Sequence, residues 1–132
     1  MVNKLEMILK ELNTNGNFRA SLFATSTGLV LASQKAEDVD DRVVAAMGSL
    51  LSDAAFKASE ELELSQLDTM KIKYSNDYII CRNILMSDNK TQFILAVLGK
   101  PPESEEVERY LDELLEWAVQ NSSQDLEKLS SI

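Results

Sequence analysis

The chain has 132 residues, 45% apolar and 27% charged, the balance of an ordinary globular protein of one domain. Thirteen basic against 22 acidic residues leave a net charge of −9, which argues against nucleic-acid or anionic-membrane partners, because both need clustered Lys and Arg. No stretch approaches the roughly 18 apolar residues that span a bilayer, no secretion signal is legible, and the single Cys81 leaves no internal disulfide; the expected location is the cytoplasm.

Residues 2–12 carry Leu5, Ile8, Leu9 and Leu12 at helical spacing. Asn3 and Glu6 resemble a capping box, and Asn15-Gly16 is expected to stop this helix in left-handed backbone. Residues 18–25 alternate as a strand, with Phe18, Ala20, Leu22 and Ala24 on one side. Thr27-Gly28 is short enough to turn that strand into a second one, residues 29–33.

Residues 39–63 read as one long helix, capped by Asp38 or Asp40. At ~100° per residue, Val43, Met47, Leu50, Leu51, Ala54, Ala58 and Leu62 share a broad face that is expected to cover a sheet. On nearly the opposite side Ala45, Ser49, Ser52 and Phe56 follow one another at i, i+4, i+7 and i+11. A row of small residues ending in an aromatic ring lets another backbone come close, so these four are candidates for a partner interface. Small residues on a surface helix are also compatible with no function at all.

Three strands follow. In residues 67–75, Met70, Ile72 and Tyr74 lie on one face and Thr69, Lys71 and Lys73 on the other. Asn76-Asp77 turns this strand into residues 78–86, and Asp88-Asn89-Lys90 turns that one into residues 91–98. The last two are apolar on both faces, so the sheet needs cover on both sides. The long helix supplies one side, and the N- and C-terminal helices must supply the other.

Residues 99–102 break the pattern, and a final helix begins near Glu103. Its buried stripe is expected to be Val107, Tyr110, Leu111, Leu114, Trp117 and Ala118. Residues 1–121 then make a single domain, and residues 122–132 read as a polar, flexible tail in which Leu126, Leu129 and Ile132 are expected to form at most one weak amphipathic turn. From residue 101 onward there are nine acids and two bases, so the acidic surface of the molecule lies there. The order α-β-β-α-β-β-β-α with short turns predicts an α+β fold, an α/β/α sandwich around a five-stranded antiparallel sheet.

Catalytic chemistry finds little support. The chain has no histidine, and one cysteine without histidine makes neither a Cys-His pair nor a zinc site. Gly16, Gly28, Gly48 and Gly99 are too scattered for a phosphate loop. Acid pairs such as Asp40-Asp41 and Glu60-Glu61 read as solvated helix faces, and Cys81 as a small hydrophobe within a strand. No cofactor or metal is expected, and no enzyme. A surface to be bound remains. Lys71 and Lys73 suit a sheet edge, either guarded on a monomer or paired with the same edge of a second copy across a two-fold axis.

The segments from Ser21 to Ser33 (SLFATSTGLVLAS), Arg42 to Leu51 (RVVAAMGSLL), Tyr78 to Arg82 (YIICR) and Phe93 to Leu98 (FILAVL), in this order of elements, resemble the roadblock/dynein-light-chain family over about residues 5–121. That family includes MglB-type regulators of small Ras-like GTPases and subunits of the lysosomal Ragulator scaffold. The resemblance implies a homodimer or heterodimer with paired central helices, a sheet continuous across the interface, and a small GTPase as partner. In such a complex the GTPase's own residues perform hydrolysis, so no catalytic residue carries over. The row Ala45, Ser49, Ser52 and Phe56 is then a site for a second helix or for the GTPase. Two other functions fit the same residues: an adaptor in a motor or membrane-associated complex with no effect on hydrolysis, and a small-molecule sensor. The acidic last helix is the least family-like part.

Overall fold

The computed structural model describes residues 3–130. They form α1 (Lys4–Gly16), β1 (Ala20–Thr25), β2 (Val30–Lys35), α2 (Asp41–Leu62), β3 (Thr69–Lys73), β4 (Tyr78–Leu85), β5 (Gln92–Gly99) and α3 (Glu105–Ser130). The strands make one antiparallel sheet in the order β2-β1-β5-β4-β3, which leaves β2 and β3 at the edges. The α+β sandwich expected from the sequence is the fold observed.

Alternation within the central strands builds two cores. Phe23, Ile80, Ile84, Phe93, Leu95 and Val97 point to one side, where they meet Leu5, Ile8, Leu9 and Leu12 of α1 and Leu111, Leu115, Ala118 and Leu126 of α3. Ala20, Leu22, Ala24, Ile79, Cys81, Ile94, Ala96 and Leu98 point to the other, where they meet Val39, Val44 and Ala45 at the start of α2. Because β1, β4 and β5 are sandwiched, both side-chain sets along them are apolar. No described helix is long and apolar enough to cross a membrane.

Helix ends depart from expectation in instructive ways. The Asn3 side chain accepts from the Glu6 backbone N–H at 2.8 Å, as its capping role requires. At the other end α1 continues to Gly16, and Asn17 takes the left-handed position, with φ 54° and ψ 40°. Gly16 is instead a space requirement, since a Cβ there would lie 2.3 Å from the Phe18 ring. Asp40, the cap of α2, accepts from the backbone N–H of Arg42 at 3.0 Å. That bond, reinforced by the Arg42 side chain, holds the Asp40 carboxyl below the usual carboxylate range.

The largest correction concerns the C-terminal end. Residues 122–130 are not a flexible tail; they are the last turns of α3. Leu111, Leu115, Ala118, Ser122 and Leu126 form its buried stripe, and Ser122 and Leu126 are fully enclosed. The short Ser122 side chain lets α3 pass close to its neighbours, and its hydroxyl donates back to Val119 O at 3.1 Å. Glu127 ties the same end to the β4–β5 hairpin by accepting from the Ser87 backbone N–H at 2.9 Å. Val107 and Tyr110, expected to be buried, are exposed, while Leu114 and Trp117 are half-buried. Val2 and Ile132, which the sequence placed in helical turns, lie outside the described residues.

Candidate interaction surface

Helix α2 presents the opposite face to its sheet from the one its large apolar residues suggest. The residues it buries are Val44, Ala45, Gly48 and Ser52. Ala45 is fully enclosed, and Gly48 stands so near the sheet that a Cβ would lie 3.6 Å from both Cys81 Sγ and Ile94 Cγ2. The β1–β2 turn closes over the same side. Ser49 Oγ donates to Ser26 O at 2.8 Å, and a Cβ on Gly28 would meet the Ser49 side chain at 3.4 Å. The row Ala45, Ser49, Ser52 and Phe56 does admit a close backbone, but that backbone is the chain's own hairpin and sheet. Phe56 is half-buried and, with Ser59, Glu60, Leu64 and Leu67, borders an open groove beside the C-terminal end of α2.

The other face was expected to cover the sheet and instead meets solvent. Val43 is 62% exposed, Leu50 72% and Leu62 67%, with Ala54 and Ala58 exposed between them and Met47 and Leu51 half-buried. Leu64, just beyond the helix, is exposed as well. Isolated apolar residues on a surface need no explanation, but several along one helix face make that face a candidate for binding. The sequence signal for it was present. The stripe is the set of residues that the helical period groups together, turned to solvent instead of to the sheet. The inner faces of β1 and β5 already carry the bulk of Leu22, Ile94 and Leu98, so a close-packed helix needs small residues there.

At the far edge of the sheet, β3 pairs with β4 on one side only. Met70 and Ile72 are partly buried on the α2 side, and Lys71 and Lys73 project to the α3 side. Lys71 is held there: its Nζ lies 3.0 Å from Asp112 Oδ1 and 3.7 Å from Glu108 Oε1. Burial works against its charge, but the hydrogen bond to Asp112 and the two carboxylates outweigh that and raise its pKa. Glu108 also accepts from Tyr78 Oη at 3.3 Å, and burial together with that negative charge raises the tyrosine pKa. Arg82 bonds Glu116 at 2.7 Å and approaches Asp68 at 3.4 Å. The candidate residues therefore divide. Lys73 is exposed on the edge, Lys71 is on the edge but engaged by α3, and Ala45 and Ser52 lie inside.

Cys81 is buried, and burial pushes its thiol up to about 11. Among the described residues no three His, Cys, Asp or Glu side chains gather so as to hold a metal ion.

The family model of the Roadblock/LC7 domain matches residues 4–98. The chain belongs to the Roadblock/LC7 family. That match runs from α1 to β5 and leaves α3 outside it. An uncharacterized protein of Methanocaldococcus jannaschii, MJ0714, is 36% identical over 69 residues, which is 52% of this chain and 58% of the relative. The chain thus spans less than two thirds of that relative's length. Among solved structures, Myxococcus xanthus MglB superposes with a TM-score of 0.79 at 11% identity over 96% of this chain and 97% of its own. A Roadblock/LC7 domain from Streptomyces avermitilis gives 0.78 at 14% identity over 95% and 99%. Both span α3, so the roadblock fold with its last helix is common to them at identities that speak only to fold.

Proposed function

We propose that this roadblock chain is a non-catalytic dimeric module that binds a small Ras-like GTPase and regulates or scaffolds it. The observation that carries the reading is the exposed stripe Val43, Leu50, Ala54 and Leu62 on α2, together with the open β3 edge of the sheet. A second copy related by a two-fold axis covers both at once: α2 lies along α2, and β3 continues into β3. The interface assigned to this role is the outer face of α2 together with Phe56, Lys71 and Lys73. The inner row takes no part beyond Phe56. Support for the GTPase comes from the family and from the likeness to MglB, a member of the group of regulators that the sequence resembles.

Two measurements test the reading in sequence. Light scattering across a dilution series is expected to give a dimer, and Leu50→Glu a folded monomer. A monomeric wild-type protein at micromolar concentration ends the dimer model. Single-turnover GTP hydrolysis by a Ras-like GTPase from the same cell is then followed with and without the dimer. A changed rate identifies a regulator. Stoichiometric capture with an unchanged rate identifies a scaffold, and absence of binding removes the GTPase from the proposal.

A further inference from the structure

Lys71 stands where the sheet edge meets the acidic last helix, and its position raises a problem for any self-pairing of that edge. Asn83 N–H donates to Asp68 O at 2.8 Å and Tyr74 N–H to Asp77 O at 2.9 Å. Residues 68 and 74 therefore turn their backbone groups toward β4. By the two-residue period of a strand, Thr69, Lys71 and Lys73 turn theirs outward, to the open edge. An antiparallel two-fold pairing that uses all of β3 in both copies then sets Lys71 opposite Lys71 and Thr69 opposite Lys73. Like charges directly opposite one another destabilise a strand pair.

In this chain the charge on Lys71 is met from behind. Glu108, Asp112 and Glu116 lie at i, i+4 and i+8 along α3, a single row facing the sheet edge. Asp112 and Glu108 take Lys71, and Glu116 takes Arg82. The Lys71 side chain is only 30% exposed as a result. Lys73 has no such partner on α3, but in the paired edge it falls opposite the uncharged Thr69 of the other copy.

We propose that Glu108 and Asp112 are the residues that make the β3 edge competent to pair with a second copy, by neutralising the two Lys71 side chains that pairing brings face to face. The inference rests on the dimer reading above. It gives α3, which lies outside the family match, a part in partner choice: a related chain that carries the edge lysine but not these acids brings an uncompensated charge to the pairing.

The test is sedimentation equilibrium of the full chain at low and high salt. Glu108→Gln combined with Asp112→Asn is expected to weaken dimerisation roughly tenfold at low ionic strength, with the gap closing as salt screens the charges. Lys71→Met added to that background is expected to restore dimerisation, a result that a merely structural role for the acids does not produce. Glu108→Gln alone, at a half-exposed side chain, should give a smaller loss in the same direction and covers the case in which the double variant folds poorly. Acid-less variants that dimerise like wild type at low salt, or a Lys71→Met change that rescues nothing, overturn the proposal and leave the dimer standing. A wild-type chain that stays monomeric overturns both.

Discussion

Gly28 and Gly48 show how differently one residue type can be constrained. Gly28 sits in the β1–β2 turn at φ 93°, a backbone conformation that L side chains rarely adopt, with the Ser49 side chain 3.4 Å from where a Cβ would be. Gly28→Ala is expected to cost about 1–2 kcal/mol through left-handed backbone alone. Gly48 is helical, and a Cβ there reaches Cys81 and Ile94 at ordinary contact distance. Gly48→Ala should therefore be neutral or stabilise by up to ~1 kcal/mol, because alanine is the better helix former. Urea unfolding of the two variants separates the cases. Cys81 supplies a pH prediction. Burial raises its pKa from 9.0 to about 11, so the neutral thiol stabilises the fold below pH 9, and that contribution is lost as the pH rises toward 11. Relative to Cys81→Ala, wild-type stability should fall by about 2–3 kcal/mol across that window. A difference that does not change with pH would mean that the thiolate is tolerated where it stands. The low nucleophilicity and the burial were both legible from a cysteine in the middle of the apolar run Tyr78–Leu85, since such a strand has no polar side to turn toward water.

Among the elements, α2 and α3 are where reading and structure part. The helical period of α2 was plain, but a helix with an apolar face and a small-residue face can dock by either one. Docking by the small face lets the helix axis approach the sheet more closely, and it leaves Val43, Leu50 and Leu62 outward. Ser52→Leu is accordingly expected to destabilise the monomer by about 1–3 kcal/mol through overpacking. Leu50→Glu, at a side chain 72% exposed, should leave the monomer's stability almost unchanged and act on association alone. The end of α3 was illegible for another reason. Residues 119–130 hold few large apolar side chains, and the buried stripe passes through Ser122, so local hydrophobicity falls while burial does not. Leu126→Ala should cost about 2–4 kcal/mol, far beyond anything a frayed tail permits. Thermal or urea unfolding decides it, and a loss under 0.5 kcal/mol, the range of ordinary surface changes, would return these turns to the solvent.

At the scale of the whole molecule, an acidic chain with an apolar α2 stripe and a free β3 edge is expected to behave as two populations set by concentration. Dimerisation should bury the stripe, raise the apparent melting temperature with protein concentration, and disappear with Leu50→Glu. A melting temperature independent of concentration in both proteins would leave the stripe without a partner of its own kind. The sequence by itself determined the element order, the antiparallel turns, the two-sided sheet and the family, because periodicity, turn residues and apolar runs are local properties of the chain. It also marked Lys71 and Lys73 as edge residues. Only the tertiary structure decided which face of α2 is inside, that α3 runs on to Ser130, and that Lys71 is met by Glu108 and Asp112. Those depend on the bulk and charge that the neighbouring layer brings to each helix, and a one-dimensional pattern records only a residue's own contribution. The inward row of Ala45, Gly48 and Ser52 is small because the sheet beneath it is already full.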